Sequence, residues 1–369
     1  MSLTGQLSPG HDLHQWCVQT FPGTADLVSR VVGAARRAEA PVRPEGRVTG
    51  EHWAEVGGAF GQRLADLVDP APPYAALLGM VHASWLTWDQ AHAQAASYPS
   101  HAHLDSEQQA RGLSMRRTPD GWMDLGPTHD NRRVDPAAAA VLIDLLERTR
   151  AYQATFAPAG DVATPGVEAG LARSAWVLAA CEGIHRSGQV DPRLAAVLRA
   201  GGTATDLRAI PTEPVVEELV ALVRRLRTSR VLAQLRANAD HPAPGRPLGV
   251  AAPTLVPGWA DGDLLVGTAA ETTLIDVKTV ISVSDPDRVG RWLWQILGYA
   301  WLDTHDLHRI RSVGLYLARH GALLSWGLNT FAGQLLGDLD TDLRHRTHEQ
   351  FLDLARRVIH AEGGRFPIA

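Results

Sequence analysis

Gly258-Trp-Ala-Asp-Gly-Asp-Leu-Leu-Val266 is followed, after the connection Gly267-Thr-Ala-Ala-Glu-Thr272, by Thr273-Leu-Ile-Asp-Val-Lys278. Asp263 leads into the apolar run Leu264–Val266, and Asp276 and Lys278 continue the apolar pair Leu274–Ile275. Two strands joined through Gly267-Thr-Ala-Ala form a hairpin with this spacing. Residues two apart on a strand share a face, so Asp276 and Lys278 stand side by side. A carboxylate and an ammonium in an apolar strand are costly to bury unless paired or bound to something. Lys278 is also the only lysine; the other 34 basic residues are arginine. Lysine carries a compact ammonium with a tunable pKa, where arginine is planar and always charged. Under a strong arginine bias, a lysine persists most readily where arginine cannot replace it.

Outward from this hairpin, further strands are expected at Leu248–Val256, Ser312–Ala318 and Ala322–Leu328, with the hairpin itself at Asp263–Val266 and Thr273–Ile281. Helices are expected at Pro214–Ala237, Asp287–Leu302 and about Asp340–His360. Helices interleaved with strands make an α/β sheet with helices packed on it. Upstream, Ala138–Phe156 and Leu171–His185 space their apolar residues as helices do, and no sustained alternation is seen. Gly201-Gly-Thr-Ala-Thr-Asp-Leu-Arg-Ala-Ile-Pro-Thr-Glu-Pro214 is a plausible boundary. The expected organisation is a mostly helical recognition or regulatory domain, 1–206, followed by an α/β domain, 207–369. The first holds 17 basic and 22 acidic side chains, and the second 18 of each.

Two carboxylates from adjacent strands suit a hard divalent cation, because Mg²⁺ is typically held by one or two carboxylates and keeps several waters. Such an ion activates water and stabilises charge on a phosphoryl oxygen. A neighbouring lysine can orient that water or neutralise the phosphate. Asp263, Asp276 and Lys278 therefore form a coherent set for phosphodiester hydrolysis, with the carbonyl of Val277 as a further metal ligand. On the following helix, Arg288, Arg291, Gln295 and Tyr299 share a stripe. Gln295 and Tyr299 are one turn apart and reach the same place. Arg288 and Arg291 extend that surface toward a phosphate backbone. Trp292 beside this stripe is read as core packing, with stacking on a base as the alternative.

In this order of motifs the chain resembles the PD-(D/E)XK nuclease superfamily, within it the RecB-like group. The resemblance rests on Gly258 with Asp263, on Asp276-Val-Lys278 and on Gln295-Ile-Leu-Gly-Tyr299, and it spans about residues 210–365. It implies a restriction-endonuclease-like mixed sheet flanked by helices. It also implies Mg²⁺ or Mn²⁺ on Asp263 and Asp276, Lys278 assisting the attacking water, and Gln295 and Tyr299 completing the site. DNA is the implied substrate, RNA remaining open, in phage defence, restriction or repair. The alternative is a non-catalytic nucleic-acid-binding or assembly subunit that keeps the fold. The resemblance often includes an acidic residue on the preceding helix; Glu217 and Glu218 both qualify, and Glu218 lies nearer the apolar stripe. Asp261 competes with Asp263 as first metal ligand, and Asp263 is preferred for its place at the strand start. A cluster held by four cysteines is not expected, since only Cys17 and Cys181 exist.

The 369 residues are 45% apolar and 20% charged, with a mean hydropathy of −0.10, which excludes disorder as the main state. No apolar run reaches the roughly 18 residues of a membrane span. The N-terminus lacks the pattern of a secretion signal, so a cytoplasmic address is expected. Two cysteines cannot build a disulfide framework. His92, His101, His103 and Asp105 offer a weaker zinc reading with no ordered Cys/His spacing behind it. Cys181 with His185 is read as a buried structural cysteine rather than a nucleophile. A protein partner could engage the helical first part.

Overall fold

Leu265 and Leu274 lie in one buried layer, and Leu264, Val266 and Ile275 lie in another. This alternation is the period-2 signature of a strand covered on both faces. Burying each such side chain contributes about 1.5–3 kcal/mol. The computed structural model describes residues 2–98, 101, 133–364 and 366. Within them the strands are β1 (Gly249–Ala251), β2 (Thr254–Val256), β3 (Ala260–Asp261), β4 (Leu264–Gly267), β5 (Thr272–Lys278), β6 (Ile310–Leu317) and β7 (Ala322–Gly327). Five form a mixed sheet in the order β1-β4-β5-β6-β7, and β2 and β3 pair apart from it. The expected hairpin is present, with β4 antiparallel to β5 in the register Leu264↔Ile275 and Leu265↔Leu274. β5 and β6 run parallel, and the helix Pro286–Trp301 makes the crossover that parallel pairing demands.

Twelve helices precede β1 among the described residues, and no strand does. They are α1 (Leu3–Gln6), α2 (Asp12–Thr20), α3 (Thr24–Arg37), α4 (Gly50–Val68), α5 (Tyr74–His82), α6 (Trp88–Ala96), α7 (Pro136–Phe156), α8 (Pro165–Ser187), α9 (Pro192–Arg199), α10 (Ala204–Arg208), α11 (Glu213–Thr228) and α12 (Val231–Asn238). The crossover helix is α13 (Pro286–Trp301), and α14 (Leu328–Leu336) and α15 (Thr341–Ala361) follow β7. The protein is thus mixed α/β with a five-stranded mixed sheet and many helices. No helix of the described residues is long and apolar enough to cross a membrane.

The expected division near 201–214 does not separate two cores. Leu3, Leu7, Leu13, Phe21, Leu27 and Val31, all from α1–α3 and their connections, share a core with α13, α14 and α15 on one sheet face. The remaining N-terminal helices pack with α11 and α12 on the other face. Gly298 on α13 permits this closure: a Cβ there would come within 3.1 Å of Leu3 and 3.2 Å of Phe351. Two expected elements are also broken. Leu248–Val256 splits into β1 and β2 because Ala252 takes φ +49° and Pro253 has no N–H for a ladder. Pro214–Ala237 splits into α11 and α12 at Arg230, which adopts φ +63°.

Candidate active site

The last registered pair of β4 and β5 is Leu264↔Ile275. One step further along, Asp263 faces Asp276, and alternation puts both on the face of Leu265 and Leu274. Val277 N–H donates to Asp263 Oδ2 at 2.6 Å, which pins that carboxylate across the end of β4. Lys278 O accepts from Ala318 N on the β6 side. One residue earlier, Val277 therefore turns its N–H and its carbonyl toward the β4 side, where Asp263 stands. Asp263 keeps solvent access, while the Asp276 side chain is 3% exposed.

Lys278 Nζ lies 2.7 Å from Asp276 Oδ2 and donates to Gln295 Oε1 at 3.0 Å. Gln295 Nε2 donates to Tyr299 Oη and to Thr4 Oγ1, both at 2.9 Å. Trp292 forms a wall, with Lys278 Nζ 5.8 Å and Arg288 Cζ 5.4 Å from its ring centroid. Both fall in the range where a ring quadrupole attracts a cation. The Arg288 guanidinium donates to Ser282 O. Arg291 stands half-buried one turn on, its charge felt by His14. Asp263, Asp276, Val277, Lys278, Gln295 and Tyr299 are brought together, with Arg288 and Arg291 on the same helix.

Other residues considered in the sequence lie elsewhere. Glu218 is buried on the opposite sheet face, its Oε2 2.7 Å from His52 Nε2 and its Oε1 2.5 Å from Arg319. Both oxygens are taken, so it is not placed to join a metal on Asp263 and Asp276. Asp261 sits on β3, 3.7 Å from Arg186, which leaves Asp263 as the strand-end carboxylate. Of the weaker zinc set, His103 and Asp105 lie outside the described residues, and His101 Nδ1 meets Tyr74 Oη at 2.9 Å. Burial pushes the Cys181 thiol up to about 12, which removes it as a nucleophile at neutral pH.

Thr4 carries no local signature that points to this site. Thr4 arrives because Leu3 and Leu7 bury α1 beside α13, and Leu3 N donates to Trp259 O at 2.9 Å. Thr4 is a positioning residue for the Gln295 amide. Thr4→Val is expected to cost about 1 kcal/mol of stability, the value of one hydrogen bond, and Thr4→Ser to restore it. An unchanged urea-unfolding midpoint for Thr4→Val would show that this hydrogen bond does not hold the Gln295 amide.

Crowding by protein raises the Asp263 carboxyl to about 7, with the charge of Asp276 adding to the rise and Lys278 opposing it. Burial also raises Asp276, again against Lys278. Burial raises the Tyr299 hydroxyl, so it stays a neutral phenol that can donate. The folded chain without metal thus holds a proton on the carboxylate pair more tightly than the unfolded chain does. The stability this gives is full below pH 3.8 and is lost as pH rises to about 7. The contribution is on the order of 1–2 kcal/mol, discounted for the solvent that reaches Asp263. Asp263→Asn is expected to flatten this pH dependence and to raise the melting temperature in chelator at pH 8. Thermal melts in chelator at pH 5.5 and 8 test it; equal slopes for wild type and variant would refute it.

The donor set fits a hard cation. Asp276 Oδ2 accepts no hydrogen bond of good geometry among the described residues and is tied only by the ion pair with Lys278. Among the described residues, no group of three or more His, Cys, Asp and Glu gathers that could hold a metal ion. Two carboxylates and a carbonyl leave places for water, as Mg²⁺ and Mn²⁺ accept and as a closed zinc site does not. Comparison with family models, curated proteins and solved structures finds no match for this chain.

Proposed function

We propose that the chain is a metal-dependent nuclease of the PD-(D/E)XK type that hydrolyses DNA phosphodiester bonds. The observation that carries this reading is the gathering of Asp263, Asp276, Lys278 and Gln295 on one sheet face, around the only lysine of the sequence. Asp263, Asp276 and the Val277 carbonyl would hold Mg²⁺ or Mn²⁺. A bound ion would supply Lewis acidity and lower the pKa of its water.

The protein's own groups do the rest. Lys278 presents Nζ beside Asp276, where it orients the attacking water and offsets charge on the phosphoryl oxygen. Gln295 Oε1 fixes the Lys278 rotamer, and Tyr299 and Thr4 fix the Gln295 amide. Arg288 and Arg291 meet flanking phosphates and set the register of the strand. The equal numbers of acidic and basic residues in 207–369 make binding weak until the carboxylate pair is neutralised.

The test is cleavage of linear, circular and single-stranded DNA, and of RNA, with Mg²⁺ or Mn²⁺, wild type beside Lys278→Ala. Metal-dependent cutting that disappears in the variant is expected. Absence of cutting of every substrate by wild type would leave a fold kept for binding or assembly and defeat the nuclease reading.

A further inference from the structure

The connection from α3 to α4, residues 38–49, is tied to the end of the sheet that carries Asp276 and Lys278. Val42 N–H donates to Arg319 O, and Val42 O accepts from Arg319 Nη1, both at 2.9 Å. Arg319 Nε donates to Thr279 O at 2.8 Å, and Ala318 N–H donates to Lys278 O at 3.0 Å. His320 Nε2 meets Ile281 O at 2.9 Å, and its ring lies beside the Ala35 backbone. One fully buried guanidinium thus holds both this connection and the residue after Lys278. Pro41 and Pro44 stiffen the chain on either side of Val42. From Lys278 the path to Arg43 runs through Ala318, Arg319 and Val42, two hydrogen-bonded contacts and two residue steps. At about 3.8 Å per step, Arg43 lies within about 20 Å of Lys278.

This anchored edge is positively charged. Arg36 and Arg37 close α3, Arg43 follows Val42, and all three are exposed. Among the described residues none of the three enters an ion pair. Residues 36–47 hold four arginines and two glutamates. One of those glutamates, Glu39, is turned to Arg225 at 3.4 Å. Burial lowers the His320 pKa, and the charges of Arg225 and Arg43 lower it further, which places both arginines around that ring. The dipole at the end of α3 favours Arg36 and Arg37. Arg43 lies beyond the helix and gains nothing from it. Like charges gathered at one edge repel, and an anionic chain laid across them relieves that repulsion.

We propose that Arg36, Arg37 and Arg43 form a phosphate track, which holds the nucleic-acid backbone on its way to or from the carboxylate pair. The inference rests on the nuclease reading and deepens it by naming where the substrate lies outside the site. Each strand advances about 3.4 Å of helix axis per phosphate, so 20 Å corresponds to about six nucleotides from the scissile bond. Arginines that meet phosphates fix position and carry no base preference. Residues 207–369 hold 18 side chains of each sign, and the track adds the local positive charge that they lack. It also gives part of the helical N-terminal region a task in substrate binding.

The experiment uses the full chain with Ca²⁺ in place of Mg²⁺. Fluorescence anisotropy follows labelled DNA of about 4 and about 12 nucleotides, single-stranded and duplex, over a range of salt. Wild type is compared with a glutamine set (Arg36→Gln, Arg37→Gln and Arg43→Gln together), with a lysine set at the same positions and with Arg43→Gln alone. Melting temperatures are checked for each. Wild type is expected to gain affinity on going from the short to the long DNA. At about 0.1 M salt the glutamine set should lose about 100-fold of that gain, and its salt slope should fall by about 3. Arg43→Gln should lower the slope by about 1. The lysine set should restore most of the affinity, since a phosphate accepts an ammonium as a point charge. An unchanged slope in the folded glutamine set, or a lysine set as weak as the glutamine set, would overturn the track. Arginine-dependent binding to phosphatidylserine vesicles without binding to DNA would overturn it in favour of a membrane surface. Cleavage by wild type, with the gain from length kept in the glutamine set, defeats the track alone. Arginine-dependent DNA binding by a wild type that cuts nothing defeats the nuclease reading alone.

Discussion

Lys278→Met is expected to lower kcat for metal-dependent cleavage by about 10³-fold, the scale of removing one charged stabiliser of a phosphoryl transition state. Methionine keeps an unbranched stem against Trp292 and removes only the ammonium. Lys278→Arg is expected to fail nearly as badly. A planar guanidinium cannot occupy the space in which Nζ lies 2.7 Å from Asp276 and 3.0 Å from Gln295 Oε1. Metal affinity should move the other way. Removing a cation from Asp276 Oδ2 leaves that oxygen freer for Mg²⁺, so thermal stabilisation by the ion should persist or grow in the methionine variant. Loss of cleavage with metal stabilisation retained separates a chemical role from a structural one. Cleavage within tenfold of wild type would eliminate Lys278 from the chemistry.

Much of this site was legible because strand geometry is local. The two-residue spacing of Asp276 and Lys278 and the apolar residues flanking Asp263 define faces without further information, and the structure keeps both. The stripe Gln295–Tyr299 is likewise set by the helical repeat, and the hydrogen bond between them follows. What stayed hidden depends on distant partners. Thr4 meets Gln295 across 291 positions, which no local periodicity encodes. The break at Arg230 has neither glycine nor proline to mark it, only a left-handed backbone. Glu218 was expected near the metal because the resemblance implies an acidic residue on this helix, and it was preferred over Glu217 because it lies nearer the apolar stripe. That position did indicate burial, but burial is satisfied by His52 and Arg319. Periodicity likewise shows that α1–α3 have an apolar side, and not which face of the sheet it covers.

Those hidden partners lead to the largest stability effect. Arg319→Ala is expected to destabilise the fold by about 3–5 kcal/mol, because it leaves a buried carboxylate without its cation. Arg319 has no exposed surface. Its guanidinium donates to Thr279 O at 2.8 Å and Val42 O at 2.9 Å, lies 2.5 Å from Glu218 and covers Trp53 at 4.8 Å. Truncation would orphan two carbonyls as well as Glu218, whose remaining partner, His52, is neutral unless protonated. The double variant Arg319→Met with Glu218→Met should recover most of the loss, since replacing a whole buried pair by apolar groups is often neutral. Urea unfolding measures all three proteins. The site would register the change too: Thr279 follows Lys278 directly, and releasing its carbonyl frees the end of β5 that carries Asp276 and Lys278. Arg319→Ala should therefore lower kcat even at temperatures where it remains folded, while the double variant stays low because Thr279 is still unanchored. A single variant within 1 kcal/mol of wild type would show that the cluster relaxes or admits water, and would break the proposed link between this buried pair and the strand end.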